Sequence, residues 1–377
     1  MRMRARPLTV RSAAAAALAA VAGMIALSPA VASAQSASVA FTSYRSGTAH
    51  VYAVNSDGSG LRALTQTPGA AFEAAPAYAP DGARIAYTCG NFELCVMNSD
   101  GGAPARLTTN DWPREFRYDT NPAWSPDATK IAFVRTVAGL DTIWIVNADG
   151  SGLRQLPVPA GVNNHPSFSP DGASIAFDHA EVDTSGDSDL PTSSDSHIWV
   201  IGLDGSAPHS LTRRGVDSDP AWSPNGRNIA FVRSTDDGSR VFVMNADGSG
   251  RRRGTARKTS ASDPAWSPDS ARIVYASIGA GGSSLFHVAA TGGKPVRLTT
   301  GRGPDFDPAW QPTAAAPGSA QLPAPATPPS VATQDAQMVG VLLRATTDAL
   351  PFESQKPIAV LGEDGPSRHR VTIRFTR

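Results

Sequence analysis

One short motif recurs six times along the chain and constrains the fold more than any other feature. Its clearest copy is Asp263-Pro264-Ala265-Trp266-Ser267-Pro268-Asp269. The first prolines of the six copies are 46, 44, 54, 44 and 44 residues apart. Internal similarity at this period is typical of a propeller, a solenoid or another repeat array. The six copies begin at Ala75, Asn121, His165, Asp219, Asp263 and Asp307.

Each repeat also carries the signals of four short strands. After the motif comes an apolar strand, as at residues 131–133, and then a strand of alternating type, as at residues 143–146. A turn follows, as at residues 147–152, and a last short strand ends in Leu-Thr in most copies. Four short strands separated by turn signals predict one antiparallel sheet per repeat.

The first and last repeats of the chain are incomplete. Residues 39–41, 51–54 and 62–65 match the second, third and fourth strands of a unit, but no first strand precedes them. Residues 307–312 form a first strand with nothing of its kind after it. We therefore predict an all-β, six-bladed β-propeller over residues 35–312, in which the last inner strand joins the N-terminal blade. Closure of the ring removes the open sheet edges that a linear array would leave.

The first 34 residues have the composition of a signal peptide. Four Arg precede an apolar run at residues 13–27, and Ala32-Ser33-Ala34 supplies a small-residue cleavage site. The run is shorter than the roughly 18 residues of a membrane span. We therefore predict an exported protein, periplasmic or secreted, whose mature chain has no transmembrane span; an uncleaved anchor is the alternative. Without those four Arg, 29 basic side chains face 33 acidic ones, which argues against nucleic-acid binding.

The sequence has two other features: a pair of cysteines within the predicted propeller, and a C-terminal segment after it. Cys89 and Cys95 are the two cysteines of the chain. Because an exported protein can form disulfides, we predict that they join to each other across a hairpin; two free thiols are the alternative. Residues 313–334 are rich in Pro and Ala and lack charge, which predicts an extended linker. Residues 335–377 are predicted to form a small tail that contains β-strands.

The repeat resembles that of the TolB family of exported proteins. The shared pattern is Pro-Ala-Trp-Ser-Pro-Asp-Gly, then Ile-Ala-Phe, an aromatic strand, Asp-Gly and Leu-Thr, and it covers roughly residues 38–312. The resemblance implies a six-bladed propeller that receives partner peptides at one mouth of its channel and can hold calcium there. The α/β domain that precedes the TolB propeller has no counterpart in this sequence, so the role of TolB in its envelope complex is not implied. Similar repeats occur in propellers attached to prolyl-oligopeptidase-type hydrolases and in some lyases.

One face of the predicted propeller has loops that differ between blades, which is typical of a binding face. The motif begins at this face, beside the central channel, and half of its first residues are acidic. The carboxylates predict a site for a peptide segment or for another envelope or secreted protein. The alternative is that each Asp is a turn residue that bonds its own backbone. The predicted partner-binding carboxylates are Asp217, Asp219, Asp263, Asp305 and Asp307. Three of them, Asp219, Asp263 and Asp307, are also predicted to hold Ca²⁺, which prefers oxygen ligands; no cofactor is otherwise required.

Two longer segments add to the variable face. Residues 110–119 combine aromatic and arginine side chains, a composition typical of interface hot spots. The alternative is a loop that folds its rings onto the blades. Residues 178–197 make the fourth repeat ten residues longer than its neighbours, and their acidic, Ser-rich composition predicts a solvated, mobile loop. The partner contacts predicted in the first segment are Trp112, Arg114, Phe116, Arg117 and Tyr118.

Motifs for known catalytic chemistry are absent from the sequence. It has no Gly-x-Ser-x-Gly elbow, no His-Glu-x-x-His helix and no paired Cys-x-x-Cys motif. His165 is the one histidine of the motif, and a metal-assisted lyase or hydrolase with its site at the same mouth is the alternative function. We predict that the chain is a monomeric, protein-binding adaptor or scaffold rather than an enzyme.

Overall fold

The fold is described from a computed structural model of the chain. It describes residues 37–67, 72–110, 117–137, 139–183, 192–256, 260–279, 282–301 and 303–312. Within these ranges the chain forms 24 β-strands in six four-stranded sheets. The predicted signal peptide, linker and tail lie outside the described residues. No helix among the described residues is long and apolar enough to cross a membrane.

The six sheets are the blades of a propeller, and blades 2 to 6 each use four consecutive strands. Blade 1 contains β1 (Ser38–Ser43), β2 (His50–Asn55) and β3 (Arg62–Ala63). Blade 2 contains β4 (Ala74–Tyr78), β5 (Arg84–Cys89), β6 (Glu93–Asn98) and β7 (Ala105–Arg106). Blade 3 contains β8 (Arg117–Trp124), β9 (Lys130–Val137), β10 (Leu140–Asn147) and β11 (Arg154–Gln155).

The other three blades and the closing strand follow the same order. Blade 4 contains β12 (Val162–Phe168), β13 (Ser174–Asp183), β14 (Thr192–Gly202) and β15 (His209–Ser210). Blade 5 contains β16 (Asp217–Trp222), β17 (Asn228–Thr235), β18 (Gly238–Asn245) and β19 (Arg252–Arg253). Blade 6 contains β20 (Ser260–Trp266), β21 (Arg272–Gly279), β22 (Gly282–Ala289) and β23 (Val296–Arg297), and β24 (Asp305–Trp310) is the last strand.

The ring closes through blade 1. β24 pairs antiparallel with β1, so the strand order of this sheet is β24-β1-β2-β3. Side chains reinforce the junction, because the Ser43 hydroxyl donates to Asp305 at 2.6 Å and the Thr42 hydroxyl donates to Asp307 at 2.8 Å. The prediction of an all-β, six-bladed propeller closed by its last inner strand is confirmed.

The hydrophobic core lies between neighbouring blades. The second strand of each blade buries an aromatic ring; Phe133 and Phe231, for example, have no exposed surface. The motif aromatics fill the gap to the preceding blade. Trp124 of blade 3 packs on Ala86 and Leu94 of blade 2, and its indole N–H donates to a carbonyl of that blade at 3.1 Å.

Residues 184–191, at the centre of the predicted mobile loop, lie outside the described residues, but the residues on both sides form strands rather than a loop. β13 and β14 extend into this segment and remain paired up to Asp183 and Thr192. His179 lies opposite His197 in this ladder and contacts Asn163 at 2.9 Å. Composition alone suggested a loop because this segment lacks the runs of apolar residues that mark the strands of the other repeats.

A disulfide joins Cys89 of β5 to Cys95 of β6, with 5.9 Å between their Cα atoms, inside the usual span of roughly 4.4–6.8 Å. Both cysteines are buried in the core between blades 1 and 2. We expect the Cys89→Ser/Cys95→Ser variant to lose about 2 kcal/mol of stability, because a short loop in the unfolded chain is no longer closed. Thermal unfolding should show a midpoint lower by about 5 °C. Equal midpoints for the two proteins would contradict the prediction.

Candidate functional site

The first motif residue of every blade sits in a β-bulge beside the central channel. In blade 5, Ser218 pairs with Val232 and Ala221 with Ala230, so that Asp219 and Pro220 together face one residue of β17. The same two-to-one irregularity occurs in all six blades. Proline suits a bulge because it has no N–H to give to the ladder. We call the six first residues the ring; they are Ala75, Asn121, His165, Asp219, Asp263 and Asp307.

The ring residues have a left-handed backbone. Their φ angles lie between 49° and 52°, a region that Asn, Asp and His occupy more readily than other non-glycine residues. Five of the six ring residues are of these types, and Ala75 is the exception. The backbone of the bulge therefore explains part of the residue choice before any ligand is considered.

The ring carboxylates also connect neighbouring blades. The N–H of Asp307 donates to Asp263 at 3.5 Å, and the N–H of Ala75 donates to the Thr42 hydroxyl at 2.9 Å, which in turn donates to Asp307. Asp263 thus bonds the backbone of the next blade directly and Asp307 reaches it through Thr42, rather than each bonding its own backbone in a turn. The remaining carboxylate oxygens are left for the channel.

The ring and the prolines that follow it line a cavity of about 160 Å³ at the channel mouth. Three acidic residues, Asp219, Asp263 and Asp307, occupy consecutive positions in blades 5, 6 and 1. Ala75 and Asn121 are uncharged, so the mouth is acidic on one half. His165 separates the acidic half from the neutral half.

His165 is clamped by two carboxylates. Its Nδ1 lies 2.8 Å from Oδ1 of Asp178 and 3.2 Å from Oδ1 of Asp219. Burial in the narrow mouth lowers the pKa of His165, but the negative charges of Asp219 and Asp178 outweigh it and hold the pKa well above its usual value. The imidazolium therefore neutralises part of the acidic half. Asp178 was predicted to lie on a mobile loop, and its contact with the ring was missed.

The other two ring carboxylates are poorly compensated. Burial, with repulsion from Asp219, raises the pKa of Asp263 to about 6. Burial, with repulsion from Asp263, raises the pKa of Asp307 to about 7. Burial also raises the pKa of Asp219, against the opposing effect of His165. A cation placed in the mouth would relieve this repulsion, because an opposite charge favours the ionised carboxylate.

Asp217 and Asp305, which were predicted to bind a partner, are already paired within the propeller. Both oxygens of Asp217 accept from Arg233 at 2.6 Å, and Asp305 accepts from Arg45 at 2.8 Å. Asp217 has no exposed surface and Asp305 is only 3% exposed. The sequence did not reveal these pairs because Arg233 lies on β17 and Arg45 in the turn after β1, and each comes within reach of its aspartate only once the strands pair.

The aromatic segment at residues 110–119, which was predicted to contact a partner, lies only partly within the described residues. Trp112, Arg114 and Phe116 lie outside the described residues, and Arg117 and Tyr118 are the first residues of β8. The ring of Tyr118 meets Phe92 edge-on at 5.0 Å. Phe92 in turn contacts Phe72 at 4.9 Å. Sequence reasoning missed these two phenylalanines, although Phe92 lies in the loop between the two cysteines.

Exposed apolar side chains lie next to the end of this aromatic segment. Val137 and Leu140 face each other across the β9–β10 hairpin and are 42% and 44% exposed. Val137 also pairs with Arg117 at the start of β8. The variable face thus combines an acidic channel mouth with an apolar hairpin tip on blade 3.

The predicted calcium ligands do not form a compact group. Among the described residues, one set of three ligand side chains, His165, Asp178 and Asp219, has donor atoms within 4.8 Å of one another. Asp263 and Asp307 are not part of that set. Calcium binding by Asp219, Asp263 and Asp307 stays a prediction, and it requires the three carboxylates to move towards the channel axis.

The chain is similar to proteins of one family. A model described as TolB beta propeller domain matches residues 13–189 and 191–317. An uncharacterized protein of Agrobacterium fabrum is 30% identical over 199 residues, which are 50% of this chain and 62% of that protein. A TolB homolog of Chlorobium luteolum is 32% identical over 142 residues, which are 37% of this chain and 30% of the homolog. The chain thus spans less than two thirds of either relative.

A solved structure agrees with the sequence matches. TolB from Acinetobacter baumannii superposes with a TM-score of 0.60 at 19% identity, over 74% of this chain and 68% of that one. At this identity the likeness concerns the fold alone. The family model, by contrast, matches well over half of the sequence. This chain belongs to the TolB β-propeller family.

Proposed function

We propose that this chain is an exported adaptor that binds another protein through its variable face, with a cationic side chain or chain end of the partner in the channel mouth. The observation that carries the proposal is the crowding of Asp219, Asp263 and Asp307 around one cavity. Burial is the main cause of their raised pKa values, and repulsion between the carboxylates, which the propeller leaves only partly compensated, adds to it. The location proposed for the adaptor is the periplasm or the outside of the cell, and protein partners are suggested by the TolB relatives.

A lysine or arginine side chain of the partner suits the mouth for two reasons. It would neutralise the three carboxylates, and a hydrogen bond that involves a charged group contributes about 1.5–3 kcal/mol. An acidic cleft also attracts cationic ligands over several ångströms and accelerates their association. His165 and the neutral half of the ring would confine the cation to blades 5, 6 and 1.

The apolar hairpin tip would supply a second contact. Val137 and Leu140 expose more surface than most aliphatic side chains of the described propeller. Burial of apolar surface contributes roughly 25 cal/mol per Å². A partner segment that carries a cation a few residues from an apolar side chain would therefore satisfy both regions.

Partner capture tests this function. We expect Asp219→Asn/Asp263→Asn/Asp307→Asn to lose at least about 100-fold in partner affinity, because the charged hydrogen bonds at the mouth disappear. The partner is first captured from envelope extract by cross-linking and identified, and its affinity for the purified proteins is then titrated. Sequencing the N-terminus of the recovered protein tests export in the same preparation.

A matched control carries the same change in charge on the opposite face. Asp57→Asn/Asp149→Asn/Asp247→Asn alters three turn carboxylates, and the amide oxygen keeps an acceptor for the serine two residues later. We expect this control to capture the partner as the unmodified protein does. Equal affinity of the mouth variant and the control would refute the assignment of the mouth.

A further inference from the structure

The outer edge of blade 5 departs from the pattern of the other blades. Arg252 occupies the same ladder position as Arg62 of blade 1 and Arg154 of blade 3. The flanking residues differ. Arg251 stands where those blades have leucines, and Arg253 stands where they have Ala63 and Gln155. Blades 2 and 6 have an arginine at the Arg253 position but none at the Arg252 position, so three consecutive arginines occur in blade 5 alone among the described outer strands.

The next position departs as well. In all six blades, the residue after the outer strand donates its N–H to the third strand. Five blades have a leucine here, and blade 5 has Gly254. Leu156 of blade 3, for example, is fully buried, and loss of such a side chain typically costs about 2–5 kcal/mol. The residues that carry this comparison are Leu64, Leu107, Leu156, Leu211, Gly254 and Leu298.

The three arginines of blade 5 are exposed and lack acidic partners. Among the described residues none of them forms an ion pair. Arg251 donates to the carbonyl of Gly248 at 3.1 Å, and Arg252 donates to the carbonyl of Ala290 at 2.5 Å. These bonds to neutral carbonyls orient two of the guanidinium groups and leave their charges uncompensated.

The basic surface continues onto blade 6. The β22–β23 turn lies against this edge, because a Cβ atom at Gly292 would be 4.0 Å from the carbonyl oxygen of Arg253. Lys294 and Arg297 follow that turn, and both are exposed. We call the five residues the basic edge; they are Arg251, Arg252, Arg253, Lys294 and Arg297.

Protection of a sheet edge does not account for the basic edge. One charged residue per outer strand is enough to discourage pairing with another sheet, and Arg62 and Arg154 supply that in blades 1 and 3. Blade 5 adds two more charges that repel one another and gives up a core leucine. Departures from a repeat that cost stability without a compensating contact point to a function.

We propose that the basic edge docks onto a bilayer that contains anionic phospholipid. Guanidinium groups match phosphate geometry, and several basic residues on one exposed edge can meet several headgroups of a flat surface at once. The acidic mouth would be repelled from the same surface, which leaves the variable face free for its partner. The inference does not depend on the function proposed for the mouth.

A flat lipid surface fits better than nucleic acid. The chain has no net charge, whereas nucleic-acid-binding domains usually carry an overall basic surface. The basic edge is confined to the outer strand of blade 5 and the adjoining part of blade 6, rather than extended as a stripe along the molecule. Adsorption to a bilayer needs only protruding cations, each of which contributes near an anionic membrane.

Cosedimentation with vesicles tests the proposal. The unmodified protein, recovered after export, is mixed with vesicles of phosphatidylcholine or of equal parts phosphatidylcholine and phosphatidylglycerol. We expect binding to the anionic vesicles alone, lost at high salt. Arg251→Glu/Arg252→Glu/Arg253→Glu should bind at least about 100-fold more weakly, at roughly fivefold per arginine. All three side chains are exposed, so its unfolding midpoint should match that of the unmodified protein.

The control variant is Arg62→Glu/Arg154→Glu/Arg227→Glu, which makes the same change in charge outside the basic edge, on blades 1 and 3 and in the β16–β17 turn of blade 5, and it should keep vesicle binding. Equal binding by all three proteins, binding by none, or an equal loss in the control overturns the proposal. Arginine-dependent binding to a duplex oligonucleotide, without vesicle binding, overturns it in favour of a soluble polyanion.

Discussion

Replacing Asp119 with alanine is expected to destabilise the propeller by about 3–5 kcal/mol, because it leaves a buried arginine without its ion-pair partner. Both carboxylate oxygens of Asp119 accept from Arg135 at 2.7 Å, and one also accepts from Thr108 at 2.6 Å. Asp119 has no exposed surface, and Arg135 is 3% exposed. The guanidinium also lies over the ring of Trp144 at 4.9 Å and cannot move to solvent without disturbing blade 3.

Urea titration of the purified variants measures this loss. The Asp119→Ala midpoint should fall far below that of Asp149→Ala, which removes an exposed turn carboxylate of the same blade. The double variant Asp119→Leu/Arg135→Met should recover most of the loss, since apolar residues of similar volume can replace a buried ion pair. A loss below about 1 kcal/mol in Asp119→Ala would contradict the prediction.

Neutralising two ring carboxylates is expected to stabilise the propeller at pH 8 and to have little effect at pH 4. The raised pKa values of Asp263, about 6, and Asp307, about 7, mean that the native state binds more protons than the unfolded chain between about pH 4 and 7. Stability from these groups is present at low pH and is lost as pH rises through the native pKa values. His165 acts in the same direction, because its raised pKa also favours the protonated native state.

The measurement is a difference between two proteins over pH. Asp263→Asn/Asp307→Asn should be more stable than the unmodified protein by on the order of 2 kcal/mol at pH 8, a value reduced for solvent in the channel. The thermal midpoint should rise by about 5 °C, and the gain should shrink as pH falls from 7 and vanish near pH 4. Taking the difference between the two proteins removes the contributions of groups that they share. His179 and His287 are examples, whose lowered pKa values change stability with pH in the opposite direction.

The turn carboxylates again serve as the control. Bonds to Ser59 and Ser151 lower the pKa values of Asp57 and Asp149, so Asp57→Asn/Asp149→Asn should not stabilise the protein at pH 8. A mouth variant less stable than the unmodified protein at pH 8 would show that the ring carboxylates matter more as inter-blade hydrogen-bond acceptors than as repelling charges.

The sequence predicted the architecture because the repeat encodes it. The motif and the strands that follow it are local patterns, and their phase alone implied that β24 completes blade 1. The roles of the acidic residues depended instead on register and backbone angle. Asp119 and Arg135 are 16 residues apart and meet only in the β8–β9 ladder, and the Asp-Pro pairs that suggested turns form bulges with positive φ.

The prediction of the site was limited in the same way. It placed Asp219, Asp263 and Asp307 together at the channel because the repeat gives them equivalent positions. It could not place Asp178 beside His165, since that contact depends on how far β13 continues after its apolar residues end. Phe92 was missed because a single aromatic residue in a hairpin loop carries no periodic signal.

The closing strand has a consequence for how the protein is made. Thr42 and Asp307 are bonded across 265 residues, so blade 1 cannot be completed until nearly all of the propeller has been synthesised. Until then β1 presents an unpaired edge, which is a template for pairing with other chains. Contacts between such distant residues also slow folding. The propeller therefore closes late. Until it closes, the newly made chain depends on whatever keeps β1 from pairing with other chains.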